Sequence, residues 1–514
     1  MLIANPVADH QATTRTLAES LSQADIYHWL VEYGYFPESY VLPPCFRVAK
    51  RPKKQKRFVP VEKKGKQFKV PTKEVVKVQF PKSELTDRVF GIIHPEIHND
   101  IAYHISRNWN TILSVMLPKD SCVATYSFPI PIDSRHPGRL GHLRSGRMIY
   151  EFLGMVDDDL ASIAYRYKYL VKTDIKNFYP SIYTHSIAWA IHGKKFIRKP
   201  ANLHNFTHVG NRLDRLFQRA NDNCTNGLPI GPVVSDIVAE IVAGAVDRAF
   251  TRMVKASELE CEAVRFKDDY RVLVNTEADG QRAIKFLQAA LKEYNLEINE
   301  TKTSMSRLPD GLFREWVSQY HVAYPRKREN FSWKQFRELY LAVLQIDRQC
   351  PGTGVIDRFL ADIVTKSGSL KVTIGPFNLQ KVISMLLIVA SRRVKSFPKV
   401  LAIIEGILRS PFGLIHEAEI VAYLENFLKS LSAEEDRNKH LISWVSYFLV
   451  SNKLKGQLSF KPIFKDPVTR SVFNNHGHLF KDANDFKLFE GSVAVGKKIS
   501  MIEHLDVFDP PKFA

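Results

Sequence analysis

The sequence predicts an α+β domain built on an antiparallel sheet, followed by an all-α domain of successive helices. Three observations carry this. Two short apolar runs, YLVKTDIKNFYPSI (Tyr169 to Ile182) and RFKDDYRVLV (Arg265 to Val274), each read as strand with aspartate at an end. Between them NGLPIGPVVSDIVAE (Asn226 to Glu240) is a Gly/Pro turn opening an apolar helix. From Phe331 onward apolar residues recur almost wholly at i, i+3, i+4 spacing. The 514 residues are enough for two or three domains with a large core.

The elements follow in order. Residues 1 to about 48 open as helix, since LAESLSQADIYHWLVEYGYF has helical apolar spacing, and three prolines in GYFPESYVLPPCF end it. The basic stretch from Lys50 to Lys82, with interleaved Phe and Val, is either a strand pair that tracks a phosphate backbone or a solvated loop. IAYHISRNWNTILSVML reads as helix, and SFPIPIDSRHPGRLGHLRSGRMIYEFL sets several arginines beside Gly and Pro turns. The helix after the Gly/Pro turn is expected from about Ser235. FSWKQFRELYLAVLQID, NLQKVISMLLIVASRRVKSF, PKVLAIIEGILRS, HEAEIVAYLENFLKSL and RNKHLISWVSYFLVSNKL then each carry an apolar stripe and stop near Gly, Pro or Ser. Such a succession predicts a helical-repeat or bundle domain.

Composition narrows the setting. At 45% hydrophobic and 25% charged the chain sits with ordinary soluble proteins. The formal net charge of +19 fits a polyanionic partner such as nucleic acid, or is simply a basic surface. The five cysteines form no CxxC pair, so neither a zinc site nor a disulfide framework is expected and a reducing cytoplasm is. The start MLIANPVADHQ lacks a basic, then apolar, leader. The longest apolar run, near Val382 to Ala390, is too short to span a bilayer, so no membrane partner is expected.

The chemistry lies in the three segments. Tyr169, Leu170 and Val171 form a strand running to Asp174, and Asn177 and Pro180 break it. A carboxylate at a strand end is well placed to hold a metal, and the Ile175 carbonyl offers a second hard oxygen. Ala263, Val264 and Phe266 lead into Asp268 and Asp269, and Tyr270 to Val274 lead away, as a hairpin with both acids at its tight turn. Packed beside the first strand, the hairpin brings Asp268 close to Asp174. Two divalent metals about 3.5–4 Å apart then activate a 3′-hydroxyl and stabilise leaving pyrophosphate, the chemistry of a palm-type nucleotide polymerase. The ordinary alternative for an Asp-Asp pair is a turn and nothing more. The Gly/Pro turn lets backbone approach a base or sugar closely, or is simply a helix start with Ser235 in the cap.

Taken together these residues resemble the reverse transcriptases. DIKNFYPSI resembles the family's first acidic motif, GLPIGPVVSDIVAE its helix-turn motif, FKDD its metal-binding YxDD hairpin, and NLEINETKT (Asn295 to Thr303) the motif that ends in a lysine, here Lys302. The order matches across residues 169 to 303. The resemblance implies a right-hand polymerase, with fingers and an antiparallel palm, followed by helices that resemble HEAT repeats. It divides the chain into an N-terminal region with fingers (1–168), a palm (169–315) and a helical C-terminal domain (316–514). It implies that Asp174, Asp268 and Asp269 are catalytic and, with the Ile175 carbonyl, hold two Mg²⁺ or Mn²⁺ ions. It makes Tyr179 an aromatic gate against a 2′-hydroxyl, the alternative being a core aromatic. It gives Lys302 to the triphosphate or pyrophosphate, the alternative being a surface lysine. Among Arg135, Arg139, Arg144 and Arg147, with Arg144 and Arg147 preferred, it sets a grip on the incoming deoxynucleoside triphosphate. Phe266, Lys267 and Ile230 depart from the family's usual Tyr, apolar residue and Gln.

GYFPESYVLPPCF, SIYTHSIAWAIHGK and the helical C-terminus further resemble bacterial abortive-infection and defence-associated reverse transcriptases. That resemblance implies a DNA polymerase of antiphage defence, a DNA product with or without an RNA template, self-priming on a tyrosine in some members, and a homo-oligomer. Two other readings stay open: a catalytically silent nucleic-acid-binding scaffold, and a mobile-element enzyme of the group II intron or retron kind.

Overall fold

The computed structural model describes residues 5–480, apart from 39, 44, 46–66, 83–85, 133–137, 139, 141–144, 325–329, 366–368 and 475–479. The chain divides into two compact units: Met1–Pro37, Arg51–Val78 and Val89–Phe313 form one, and Glu38–Lys50, Gln79–Arg88 and Arg314–Ala514 the other.

Seven strands are present among the described residues: β1 Val76–Pro81, β2 Asp87–Ile92, β3 Val123–Thr125, β4 Tyr169–Asp174, β5 Cys261–Phe266, β6 Asp269–Val274 and β7 Ser304–Arg307. β1 and β2 pair as a separate ribbon, so the end of the basic stretch is strand, while residues 50–66 lie outside the described set. The other five form one sheet in the order β3-β5-β6-β4-β7. The pairs β5–β6, β6–β4 and β4–β7 are antiparallel as expected. The edge pair β3–β5 is parallel, which corrects the purely antiparallel reading. Three residues of β3 gave no strand signal to place there.

Alternation along the strands explains how this sheet is covered on both faces. Val171, Ala263, Val272 and Val274 point into the large core that holds the helix Val233–Ala256 and the helix Glu277–Glu293. Leu170, Val264 and Leu273, one residue out of phase, meet Val156, Leu160 and Ile163 of the helix Ser145–Ile163. Each fully buried Val or Leu contributes about 1.5–3 kcal/mol. A one-residue slip of any strand would exchange its two sets of neighbours.

The N-terminal helical stretch is two helices, Pro6–Glu19 and Gln23–Glu32. Ser22 breaks it, because its hydroxyl accepts the Asp25 amide as an N-cap. Asn108 likewise divides Pro95–Arg107 from Trp109–Met116. In the second unit every expected helix is present: Trp333–Gln349, Leu379–Arg392, Phe397–Leu408, Glu417–Ser432 and Glu435–Ser451. Val355–Asp362 and Pro467–Asn474 were not anticipated, being short and flanked by Gly and Pro. All seven contribute to one apolar core.

Candidate active site at the end of β4

β4 delivers Asp174 at its last position, 4% exposed. The strand stops there because Asn177 takes a left-handed φ of 48°, tolerable for Asn, and a single helical turn Phe178–Ser181 follows. Backbone bonds fix the surroundings. The Asp174 carbonyl accepts the Asn299 amide at 2.8 Å, and the Lys176 amide donates to Glu297 at 2.9 Å. These flank Ile175, which bridges to Ile298. The Ile175 amide donates to the carbonyl of Asp268 at 3.1 Å.

The hairpin therefore sits against the strand end, with Asp174 and Asp269 in register. Asp268 occupies the two-residue turn with Lys267, whose φ is 54°, and Asp269 is the first residue of β6 rather than part of the turn. Partial burial, then the neighbouring acids, push the Asp269 carboxyl up to about 6. Burial, with Asp174 nearby, also raises Asp268. Lys302 lies on the other side: its Nζ donates to Asp174 Oδ2 at 2.5 Å, and that bond raises the Lys302 pKa. Asp174 Oδ1 is buried with no hydrogen-bond partner.

Among the described residues no three His, Cys, Asp or Glu side chains converge as a ready metal cage. The donor chemistry still fits a hard divalent cation. Three carboxylates lie at one strand end, Asp174 holds an unpartnered buried oxygen, and Lys302 pairs with its other oxygen.

Behind the turn is a buried polar network. Arg265, 0% exposed, spans Glu240 and Asp247 of the long helix. Its Nη1 also donates to the Lys267 carbonyl at 3.0 Å. The Lys267 amide donates to Ser127 Oγ at 2.8 Å, and that hydroxyl donates to Glu240 at 2.7 Å. Tyr270 donates to Asp247 Oδ1 at 2.7 Å. Burial works against the Arg265 charge, but Asp247 and Glu240 outweigh it. Burial likewise raises Asp247, with Arg265 opposing.

The middle segment is tied to the first through the main chain. Gly227, at φ +87°, donates to the Ile182 carbonyl at 2.9 Å, and Leu228 donates to that of Tyr179 at 3.0 Å. Gly231 has φ +120°, and a Cβ there would lie 2.3 Å from Phe36. The long helix starts at Val233, two residues before the expected Ser235, and its first amide donates to the Gly34 carbonyl at 2.9 Å. Ser235 is no cap: its hydroxyl is buried without a hydrogen bond.

The Tyr179 hydroxyl donates to Asp236. The Lys267 ammonium lies 3.6 Å from the same carboxylate and 5.9 Å from the Tyr179 ring centre. Burial, then Asp236, holds the Tyr179 pKa well above 10. Ile230 is half-buried, and its carbonyl accepts the Gly91 amide at 2.9 Å. Asp174, Ile175, Asp268, Asp269 and Lys302 thus meet at one place, and Tyr179 is joined to their hairpin through Asp236 and Lys267. Arg135, Arg139 and Arg144 lie outside the described residues. Arg147 falls in the helix Ser145–Ile163, its side chain outside the described set.

Asp236, Glu240, Asp247, Arg265 and Tyr270 were not anticipated. The available signal was three acids at i, i+4 and i+11 on a helix whose first fifteen residues are otherwise apolar but for Ser235, a spacing that aligns them on one face.

No helix among the described residues is long and apolar enough to cross a membrane. No curated protein matches the sequence. Among solved structures, telomerase from Candida albicans with a TWJ fragment of telomeric RNA is 10% identical, at a TM-score of 0.24 over 59% of this chain and 53% of that one. Apo telomerase from Candida tropicalis is 11% identical at 0.32, over 76% and 70%. The chain thus spans about half the length of the first of these. The sequence itself matches the reverse transcriptase (RNA-dependent DNA polymerase) family over residues 131–334, which include β4, the long helix, the hairpin and Lys302. Residues 131–334 are thus similar to the reverse transcriptase (RNA-dependent DNA polymerase) family.

Proposed function

We propose that this chain adds deoxynucleotides to a DNA product at Asp174, Asp268 and Asp269, and that it does so in antiphage defence. The single observation that carries the polymerase reading is the placement of three carboxylates at one strand end, Asp174 in register with Asp269 and Ile175 bonded to the Asp268 carbonyl. These carboxylates, with the Ile175 carbonyl, are the residues that would hold two Mg²⁺ or Mn²⁺ ions. Bound there, such ions would supply positive charge that lowers the pKa of a 3′-hydroxyl and offsets the charge of departing pyrophosphate. Lys302 neutralises Asp174 before substrate enters and offers its charge to the triphosphate afterwards. Tyr179 excludes a 2′-hydroxyl, and Arg144 and Arg147 grip the triphosphate. The net charge of +19 supports a nucleic-acid partner.

The finer reading rests on resemblance: residues 1–168 as N-terminal region and fingers, 169–315 as palm and 316–514 as a HEAT-like helical domain, in a homo-oligomer. The test is incorporation of each labelled deoxynucleotide by the purified protein, with and without an RNA template and divalent metal. Metal-dependent incorporation is expected, and its loss in Asp268→Asn. No incorporation under any condition overturns the proposal. Mass spectrometry for DNA covalently attached to the protein tests whether synthesis starts on one of its 19 tyrosines.

The Lys302–Asp174 ion pair favours a second reading, a nucleic-acid-binding scaffold whose acids are neutralised rather than metal-loaded. Phage protection retained by Asp174→Asn would support it over the enzyme.

A further inference from the structure

We propose that Asp236 is a positioning residue for Tyr179, fixing the ring so that it discriminates deoxyribonucleoside from ribonucleoside triphosphates. The inference rests on the reading of Tyr179 as the sugar gate and adds what makes the gate stiff.

An aromatic ring excludes a 2′-hydroxyl only if it does not move when one arrives. Two contacts hold the near end of Tyr179. Its carbonyl accepts the Leu228 amide at 3.0 Å. The Phe178 ring meets it edge to face at 5.5 Å. Phe178 itself is 3% exposed and part of the core. Neither of these restrains the far end. That end is held by the hydroxyl, which donates to Asp236 Oδ1.

Asp236 can serve as an anchor because it is itself anchored. It lies in the first turn of the long helix, where a carboxylate is favoured by the helix dipole. Its side chain is largely buried, and the Lys267 ammonium 3.6 Å away compensates its charge. Lys267 belongs to the turn that carries Asp268, and its carbonyl is held by Arg265. The gate, the helix start and the acidic hairpin are therefore coupled through one carboxylate. This also gives a use to Lys267, the charged residue whose presence beside the acids was unusual.

The measurement is the ratio of kcat/KM for dGTP and GTP, on the whole protein. A hydrogen bond to a charged acceptor that stiffens the ring predicts about a tenfold drop in that ratio when lost. Tyr179→Phe removes the donor and keeps the ring. Asp236→Ala removes the acceptor. Each is expected to lower the ratio about tenfold, and the double variant no further, because both delete the same bond. Asp236→Asn keeps an acceptor oxygen and is expected to retain most of the selectivity, which a merely structural loss would not do. Tyr179→Ala, lacking the ring, is expected to fall further than any of these.

If Tyr179→Ala relaxes selectivity and Asp236→Ala does not, the gate stands and this inference falls. If Tyr179→Ala leaves the ratio unchanged, the gate reading falls and takes the inference with it. An Asp236→Ala effect absent from Tyr179→Phe also overturns it, since the carboxylate then acts elsewhere. Calorimetric binding of dGTP and of GTP gives the same comparison without turnover.

Discussion

Arg265 donates to both carboxylate oxygens of Glu240, from Nη1 and Nη2, at 3.0 Å each. Its Nε donates to Asp247 at 3.0 Å, so one buried guanidinium joins two acids of a helix to the strand that leads into Asp268. Arg265→Met leaves both acids buried without their cation, and is expected to cost about 3–5 kcal/mol. Arg265→Lys keeps the charge but not the fork, and is expected to cost less, though still more than about 1 kcal/mol. Urea denaturation measures both; equal stability of Met and parent would show that the network contributes nothing.

The carboxyls at the strand end repel one another, and burial raises both Asp268 and Asp269. A raised acid is destabilising when ionised in the folded state, so removing one charge relieves the fold. In EDTA at pH 7.5, Asp268→Asn is expected to melt at or above the parent's temperature. Added Mg²⁺ should raise the parent's Tm and leave the variant's nearly unmoved. A parent insensitive to Mg²⁺ would speak against metal binding here.

Burial drives His98 and His440 down to about 3. The unfolded imidazole titrates near 6.5, so below that pH the unfolded chain binds protons that the folded one refuses. Stability is therefore full above about 6.5 and falls as pH drops toward 3. At pH 5 the loss is about 2 kcal/mol for each histidine. His98→Phe, which keeps a ring against Tyr35, should flatten the acid limb of a Tm-against-pH curve. An unchanged limb would place the acid sensitivity elsewhere.

Gly231 combines φ +120° with Phe36 at 2.3 Å from any Cβ. Gly231→Ala is expected to cost at least about 2 kcal/mol. Phe36→Leu should restore only part of this, because it removes the clash and not the backbone strain. Thermal melts of the single and double variants decide it; full restoration would mean the backbone carries no penalty.

The legible parts were those written locally. Asp174 and Asp268 announce themselves because each sits where an apolar run breaks, and the helices of the second unit repeat their stripe over many residues. What stayed hidden depended on pairing across distance. The three-residue β3 is too short for any periodicity, and its parallel register with β5 joins residues 123 and 263. Ser235 looked like a cap, but the Gly34 carbonyl meets the first helical amide instead. Asp236 carries no local signal beyond that of an acid in a helix's first turn. Only its alignment with Glu240 and Asp247, and a cation on the facing hairpin for each end of the row, makes the stripe meaningful.

The way Asn226 to Val234 is spelled follows from which of its amides are employed. Gly227, Leu228 and Val233 each lend a main-chain proton to a distant carbonyl, whereas proline, which has none, stands at 229 and 232. The half-buried side chain at 230 can thus change without unstitching the site, whereas Leu228 is also held by the core. A proline at 227, 228 or 233 would unstitch it at once. Divergence among such chains should therefore spare the placement of the imino acids.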